Sequence, residues 1–155
     1  MDKIIESNDY PKLTYLFHES GLEVEPGIER PDNVVKCWEC IDEAGRLLGA
    51  ASLEIRSGEY VVADVAVDRN YQGENIGTRL METVEAEIAS LGGKDAWLIA
   101  KVPLFYAKLG WEPVEREQAP DISKCFFCLK YGKECKPQVM HKRMAAASIE
   151  IQPGG

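Results

Sequence analysis

The chain has 155 residues, 45% hydrophobic and 28% charged, the size and composition of a single globular domain with a real core. A formal charge of −8 argues against a nucleic-acid partner, which asks for a basic face, and no run of about eighteen apolar residues offers a membrane span. The opening Met1-Asp2-Lys3-Ile4-Ile5-Glu6 lacks the basic start and apolar stretch of a secretory signal, and five cysteines, an odd number, read as reduced thiols in a cytoplasmic protein.

The first helix is expected over residues 10–20. Asn8 or Asp9 can cap it, Pro11 suits its first turn and Gly21 its exit. Leu13, Leu16 and Phe17 then share one face. Residues 21–33, with Pro26, Gly27 and Pro31, read as a loop. Three strands follow as an antiparallel meander: 34–41, then 46–55 after the turn Asp42-Glu43-Ala44-Gly45, then 60–67 after Arg56-Ser57-Gly58-Glu59. Val61, Val62, Val65 and Val67 mark the third as buried and nearly apolar on both faces.

The longest helix is expected from about 74 to 91, because Ile76, Leu80, Val84, Ile88 and Leu91 form one stripe and Gly92-Gly93 ends it. Residues 96–100 read as the next strand. A strand, a helix and a strand in succession imply a right-handed crossover and parallel pairing. A short helix at 103–109 closes at Gly110. Further strands are expected at 111–114, 125–131 and 138–144. The whole reads as one domain over residues 1–144, with a flexible tail over 145–155.

Two segments carry chemistry. In Val65-Ala66-Val67-Asp68-Arg69-Asn70-Tyr71-Gln72-Gly73-Glu74-Asn75-Ile76-Gly77-Thr78, a strand runs through a polar loop into a helix. The first helical turn has unpaired N–H groups and the positive end of the helix dipole, and Gly73 and Gly77 allow close approach of a phosphate. A glycine turn without a ligand is the plainer reading of the same residues. In Leu104-Phe105-Tyr106-Ala107-Lys108-Leu109-Gly110-Trp111, a tyrosine stands in a short helix just after a strand. Its phenol can donate a proton to a leaving thiolate; alternatively Tyr106 and Trp111 simply pack in the core.

Taken together, the two segments resemble the GNAT superfamily of N-acetyltransferases. Gln72-Gly73-Glu74-Asn75-Ile76-Gly77 is similar to its Gln/Arg-x-x-Gly-x-Gly/Ala element, and Phe105-Tyr106-Ala107-Lys108-Leu109-Gly110-Trp111 is similar to a second element some thirty residues later. The resemblance is specific over residues 61–114. It implies an α/β (α+β) fold with a mixed, mainly antiparallel six- to seven-stranded sheet flanked by about four helices. It implies acetyl transfer from acetyl-CoA to a primary amine by direct attack in a ternary complex. The backbone at Val65, Ala66 and Val67 would pair with the pantetheine arm and supply an N–H to the oxyanion. Gln72, Gly73, Glu74, Asn75, Ile76, Gly77 and Thr78 would hold the pyrophosphate, and Tyr106 would protonate the thiolate. The acceptor would be a small-molecule or peptide amine, with neither nucleic acid nor membrane as partner, in a monomer or homodimer.

The chain departs from the pattern in three places. Asn75 stands where the family has a glycine; asparagine tolerates left-handed backbone better than most residues. Val61 lies near the position that often carries a glutamate base, and an asparagine often found near Ile99 is missing. Asp64 is the candidate general base, as the only carboxylate in the 60–67 strand, against the alternative of an ordinary exposed or hydrogen-bonded strand position. Glu54 and water chains are further candidates. A degenerate acyl-CoA-binding or sensor module is a second reading.

A third reading is a cysteine-rich zinc or redox protein. Cys37-Trp38-Glu39-Cys40 and Cys125-Phe126-Phe127-Cys128, followed by Cys135 and His141, have metal-ligand spacing. Both pairs fall in expected strands, where residues three apart face opposite sides, and neither contains a glycine. Buried thiols are therefore preferred to zinc, and no residue is assigned as a metal ligand. His18 reads as a surface residue.

Overall fold

The computed structural model of the chain describes residues 2–120, 122 and 138–144. Its strands are β1 (Lys3–Glu6), β2 (Val34–Ile41), β3 (Leu47–Arg56), β4 (Glu59–Val67), β5 (Asp95–Ala100), β6 (Glu112–Val114) and β7 (Gln138–Arg143). Hydrogen bonding orders them β1-β2-β3-β4-β5-β7-β6. The β4–β5 pair is parallel, whereas β1–β2, β2–β3, β5–β7 and β6–β7 are antiparallel. This is the expected mixed, mainly antiparallel sheet. The α-helices are α1 (Tyr10–Glu19), α2 (Ile76–Ser90) and α3 (Pro103–Ala107), three among the described residues rather than about four. No helix among the described residues is long and apolar enough to cross a membrane.

Two units emerge from the internal contacts: Met1–Ile55 with Val62–Ala86, and Arg56–Val61 with Glu87–Gly155. In the first, α1 starts where Asp9 accepts the Lys12 N–H at 3.2 Å, with Pro11 in the first turn where no helical N–H is needed. Leu13 and Phe17 are fully buried and pack with Tyr10, Cys37, Ala50 and Ala66. Burying each such large side chain contributes about 1.5–3 kcal/mol.

Helix α2 buries Ile76, Leu80, Met81 and Val84. It comes very near β3 at Gly49, where an added Cβ would lie 2.9 Å from Ile76 Cγ2, 3.1 Å from Leu80 Cδ1 and 3.2 Å from the Ala66 carbonyl oxygen. Glycine is needed there for close approach. The expected stripe stops short at its far end, since Leu91 lies beyond α2 and is 45% exposed. Strand β1 was not expected from the sequence. It pairs Lys3 with Ile41 through Glu6 with Trp38.

The reading of residues 60–67 as a buried strand needs correction, although apolar residues do occupy both faces. Val61 and Val62 are both buried, and beyond them burial alternates: Asp64 and Ala66 are buried, Val65 and Val67 half-exposed. The alternation changes phase between Val61 and Val62, so the valines are spread over two faces.

In the second unit, β5 pairs in parallel with the first part of β4, Tyr60 opposite Ala96 and Val61 opposite Trp97. On its other side β5 pairs with β7 from Asp95–Arg143 to Ala100–Gln138, and β6 lies outside β7. Val61, Ile122 and Val139 form a core against which Trp97, Ile99 and Val114 pack. Helix α3 is shorter than expected, and Trp111 beyond it is 2% exposed. The strand expected at 125–131 and the tail at 145–155 lie outside the described residues.

Candidate active site

The loop from Asp68 to Asn75, in the first unit, is tied at its front. Asp68 donates its N–H to the Leu48 carbonyl at 2.8 Å, and its side chain accepts the Asn70 N–H at 2.8 Å. That cap starts a 3-10 turn over Arg69–Tyr71, in which the Tyr71 N–H donates to the Asp68 carbonyl. Arg46, at the end of the β2–β3 turn, donates to the Tyr71 hydroxyl at 2.6 Å. Gln72, Gly73, Glu74 and Asn75 are exposed.

Asn75 has φ of +65°, the left-handed region, as does Gly73 at +89°. The Asn75 carbonyl accepts the first α2 bond, from the Arg79 N–H at 3.0 Å. The N–H groups of Ile76, Gly77 and Thr78 therefore precede the first intrahelical bond and have no partner within the helix. The first turn itself holds no acidic residue, and Glu74 stands two residues before it. Arg79 in that turn pairs with Asp2 at 2.6 Å. Ile76 is buried and Gly77 and Thr78 half-exposed. These features suit a bound pyrophosphate: exposed backbone, a left-handed turn and first-turn N–H groups outside the helix's own ladder.

Strand β4 lies beside β3, its register with β5 runs through Tyr60 and Val61, and Val65, Ala66 and Val67 lie further along it. An extended ligand pairs with strand backbone beyond the point where a neighbouring strand's register ends. Asp64 on the same strand is 8% exposed, and its Oδ2 accepts the hydroxyl of Ser52, itself fully buried, at 3.0 Å. Asp64 is thus hydrogen-bonded, as the plainer alternative to a general base has it, and buried rather than exposed. Glu54 is also buried and accepts the Asn33 side-chain amide at 3.1 Å. Ser52 and Gly49 escape a motif search, because only the β3–β4 pairing and the α2 packing give them their neighbours.

Tyr106 belongs to the second unit, where it is half-buried on α3. Its ring meets the Phe105 ring edge-on at 4.9 Å, and its carbonyl accepts the N–H groups of Leu109 at 2.9 Å and Trp111 at 3.1 Å. Those bonds turn the chain from α3 into β6. Trp111 packs in the core while Tyr106 stays partly open to solvent.

Cys37 and Cys40 are buried free thiols. Cys37 donates its S–H to the Ser7 carbonyl, and burial pushes both thiols up from the ordinary cysteine value. Among the described residues no three His, Cys, Asp or Glu side chains gather as a metal site. Cys125, Cys128 and Cys135 lie outside the described residues. His141 instead bonds Asp95 at 2.7 Å and packs on Trp97, with ring centroids 4.6 Å apart.

The model of the acetyltransferase (GNAT) domain matches residues 34–113. No curated protein matches the chain in sequence. Solved structures share its fold at low identity. A GNAT-family acetyltransferase from Staphylococcus aureus superposes with a TM-score of 0.69 at 16% identity, covering 94% of this chain and 100% of its own. A ribosomal-protein alanine N-acetyltransferase from Escherichia coli gives 0.68 at 16% identity, covering 99% and 100%. A Mycobacterium tuberculosis protein in complex with CoA gives 0.72 at 16% identity, covering 92% and 99%.

Proposed function

We propose that this chain, which belongs to the GNAT acetyltransferase family, transfers an acetyl group from acetyl-CoA to a primary amine. The observation that carries the reading is the backbone of Asn75. Its φ of +65° lies in the left-handed region that glycine enters freely and asparagine tolerates, so the turn into α2 forms here without the glycine of the family motif.

The chemistry assigns a task to each residue. The amine nitrogen forms a bond to the acetyl carbon as the thioester C–S bond breaks. Asp64, oriented by Ser52, accepts the proton that the amine loses, directly or through water. Tyr106 donates the proton that the leaving thiolate takes up. The backbone of Val65, Ala66 and Val67 aligns the pantetheine arm, and an N–H there stabilises charge on the carbonyl oxygen. Residues Gln72 to Thr78 bind the pyrophosphate through backbone N–H groups. The structural relatives crystallised with CoA support acetyl-CoA as the donor, and the one that acts on a ribosomal-protein alanine supports an amine as acceptor.

Calorimetric titration with acetyl-CoA tests the donor, and acetyl transfer over a panel of small amines, amino acids, polyamines and lysine peptides tests the reaction. Micromolar binding with turnover on any amine supports the proposal. Binding without turnover on the whole panel points to the sensor reading, and no binding removes acetyl-CoA altogether.

A further inference from the structure

The turn between β2 and β3 is built on one carboxylate. Asp42 accepts the backbone N–H groups of Arg46 and Ala44, each at 2.9 Å, and donates its own N–H to the Arg46 carbonyl at 3.1 Å. The bond from Arg46, above all, holds the Asp42 carboxyl below the usual carboxylate range. Arg46 thus leaves the turn with a fixed backbone, and its guanidinium reaches the Tyr71 hydroxyl.

Tyr71 ends the 3-10 turn just ahead of the four exposed residues Gln72–Asn75. Exposed residues make few contacts, so the course of this stretch depends on what holds its ends. Behind it, Ile76 is seated over Gly49. Ahead of it, Asp68 is bonded to Leu48 and Tyr71 to Arg46. All of these anchors come from residues 46–49. The hairpin end of β3 is therefore the platform for the loop.

We propose that Arg46 is a positioning residue for acyl-CoA binding, holding the loop in its binding geometry through Tyr71. The inference rests on the reading of this loop as the pyrophosphate site. Without the tie, the loop must be ordered at the moment of binding, and affinity falls by the cost of that ordering.

The test titrates acetyl-CoA into the wild-type protein, Arg46→Gln, Tyr71→Phe and the double variant, and follows thermal unfolding of each. Tyr71→Phe keeps the guanidinium charge, so a loss there isolates the tie from simple charge attraction. Each single variant is expected to bind about three- to tenfold more weakly, the worth of one ordinary hydrogen bond, since this one is exposed to solvent. The double variant is expected to be no weaker than the singles, because both remove the same bond. Arg46→Lys, which keeps a donor, recovers part of the loss, and unfolding temperatures stay near wild type. Wild-type affinity in Tyr71→Phe, or losses that multiply in the double variant, overturns the proposal. If the wild-type protein binds no acetyl-CoA, the functional reading falls, and amide exchange at Asn70 and Tyr71 in the free protein judges the tie itself. Faster exchange in both single variants supports it, and unchanged exchange overturns it.

Discussion

Ser52 donates its hydroxyl to Asp64 across 3.0 Å between neighbouring strands, and both side chains are buried. One bond thereby orients a carboxylate that an open strand face would leave free to rotate. Ser52→Ala removes a donor from a buried acceptor and is expected to cost about 1–3 kcal/mol, read from urea unfolding. Asp64→Asn is expected to lower turnover about 10²-fold or more with acetyl-CoA affinity little changed, since proton acceptance and cosubstrate binding use different groups. Full turnover in Asp64→Asn moves the base role to Glu54 or to water.

Gly49 sets how closely α2 approaches β3. A methyl group there meets Ile76 Cγ2 at 2.9 Å and the Ala66 carbonyl at 3.2 Å. The isoleucine can shift, but the carbonyl belongs to β4 backbone and yields less. Gly49→Ala is expected to destabilise the protein by about 1–3 kcal/mol, the usual cost of overpacking. It should also weaken acetyl-CoA binding, because Ile76 opens the helix that carries the Gly77 and Thr78 N–H groups. Wild-type stability and affinity together would show that α2 moves aside freely.

Local features of the sequence found their places in the structure. Asp9 caps α1, Asp42-Glu43-Ala44-Gly45 turns β2 into β3, and Ser57-Gly58 turns β3 into β4 with positive φ at both residues. Each depends on a few neighbouring residues. What escaped the sequence depends on distant ones. Lys3–Glu6 is too short and too charged to read as a strand, and it exists because β2 offers it a partner. That β7 lies between β5 and β6 cannot be seen from chain order. The contacts of Ser52 with Asp64 and of Arg46 with Tyr71 join residues 12 and 25 apart, and only sheet register brings them together.

Asn75 carries a conformational cost that glycine would avoid. Left-handed backbone disfavours a β-carbon by roughly 1–2 kcal/mol, less for asparagine, whose side chain can bond locally. Asn75→Gly is expected to keep acetyl-CoA affinity within about twofold, since the added freedom offsets the removed strain. Asn75→Val, β-branched at φ +65°, is expected to weaken binding at least about tenfold, because the loop must leave this conformation. Equal affinity in the valine variant would show that the left-handed turn has no part in holding the cosubstrate.

Tyr106→Phe keeps the ring that packs on Phe105 and the carbonyl that accepts the Leu109 and Trp111 N–H groups. Only the hydroxyl is lost, so the fold should be retained. Turnover is expected to fall about 10²–10⁴-fold with little change in acetyl-CoA affinity, as for loss of a general acid. An unchanged rate would take Tyr106 out of the reaction.

Cys37 and Cys40 face opposite sides of β2 and cannot grip one metal ion from that strand. Burial favours the neutral thiol, so both stay protonated at pH 8, where an ordinary cysteine is partly thiolate. In the native protein at pH 8 both are expected to resist alkylation by iodoacetamide, and to react once urea unfolds the chain. Mass spectrometry of peptides containing each residue reads the result separately. Rapid native labelling of Cys37 would mean that α1 and the Ser7 carbonyl do not keep it from solvent, and that the core under α1 opens on the timescale of the reaction.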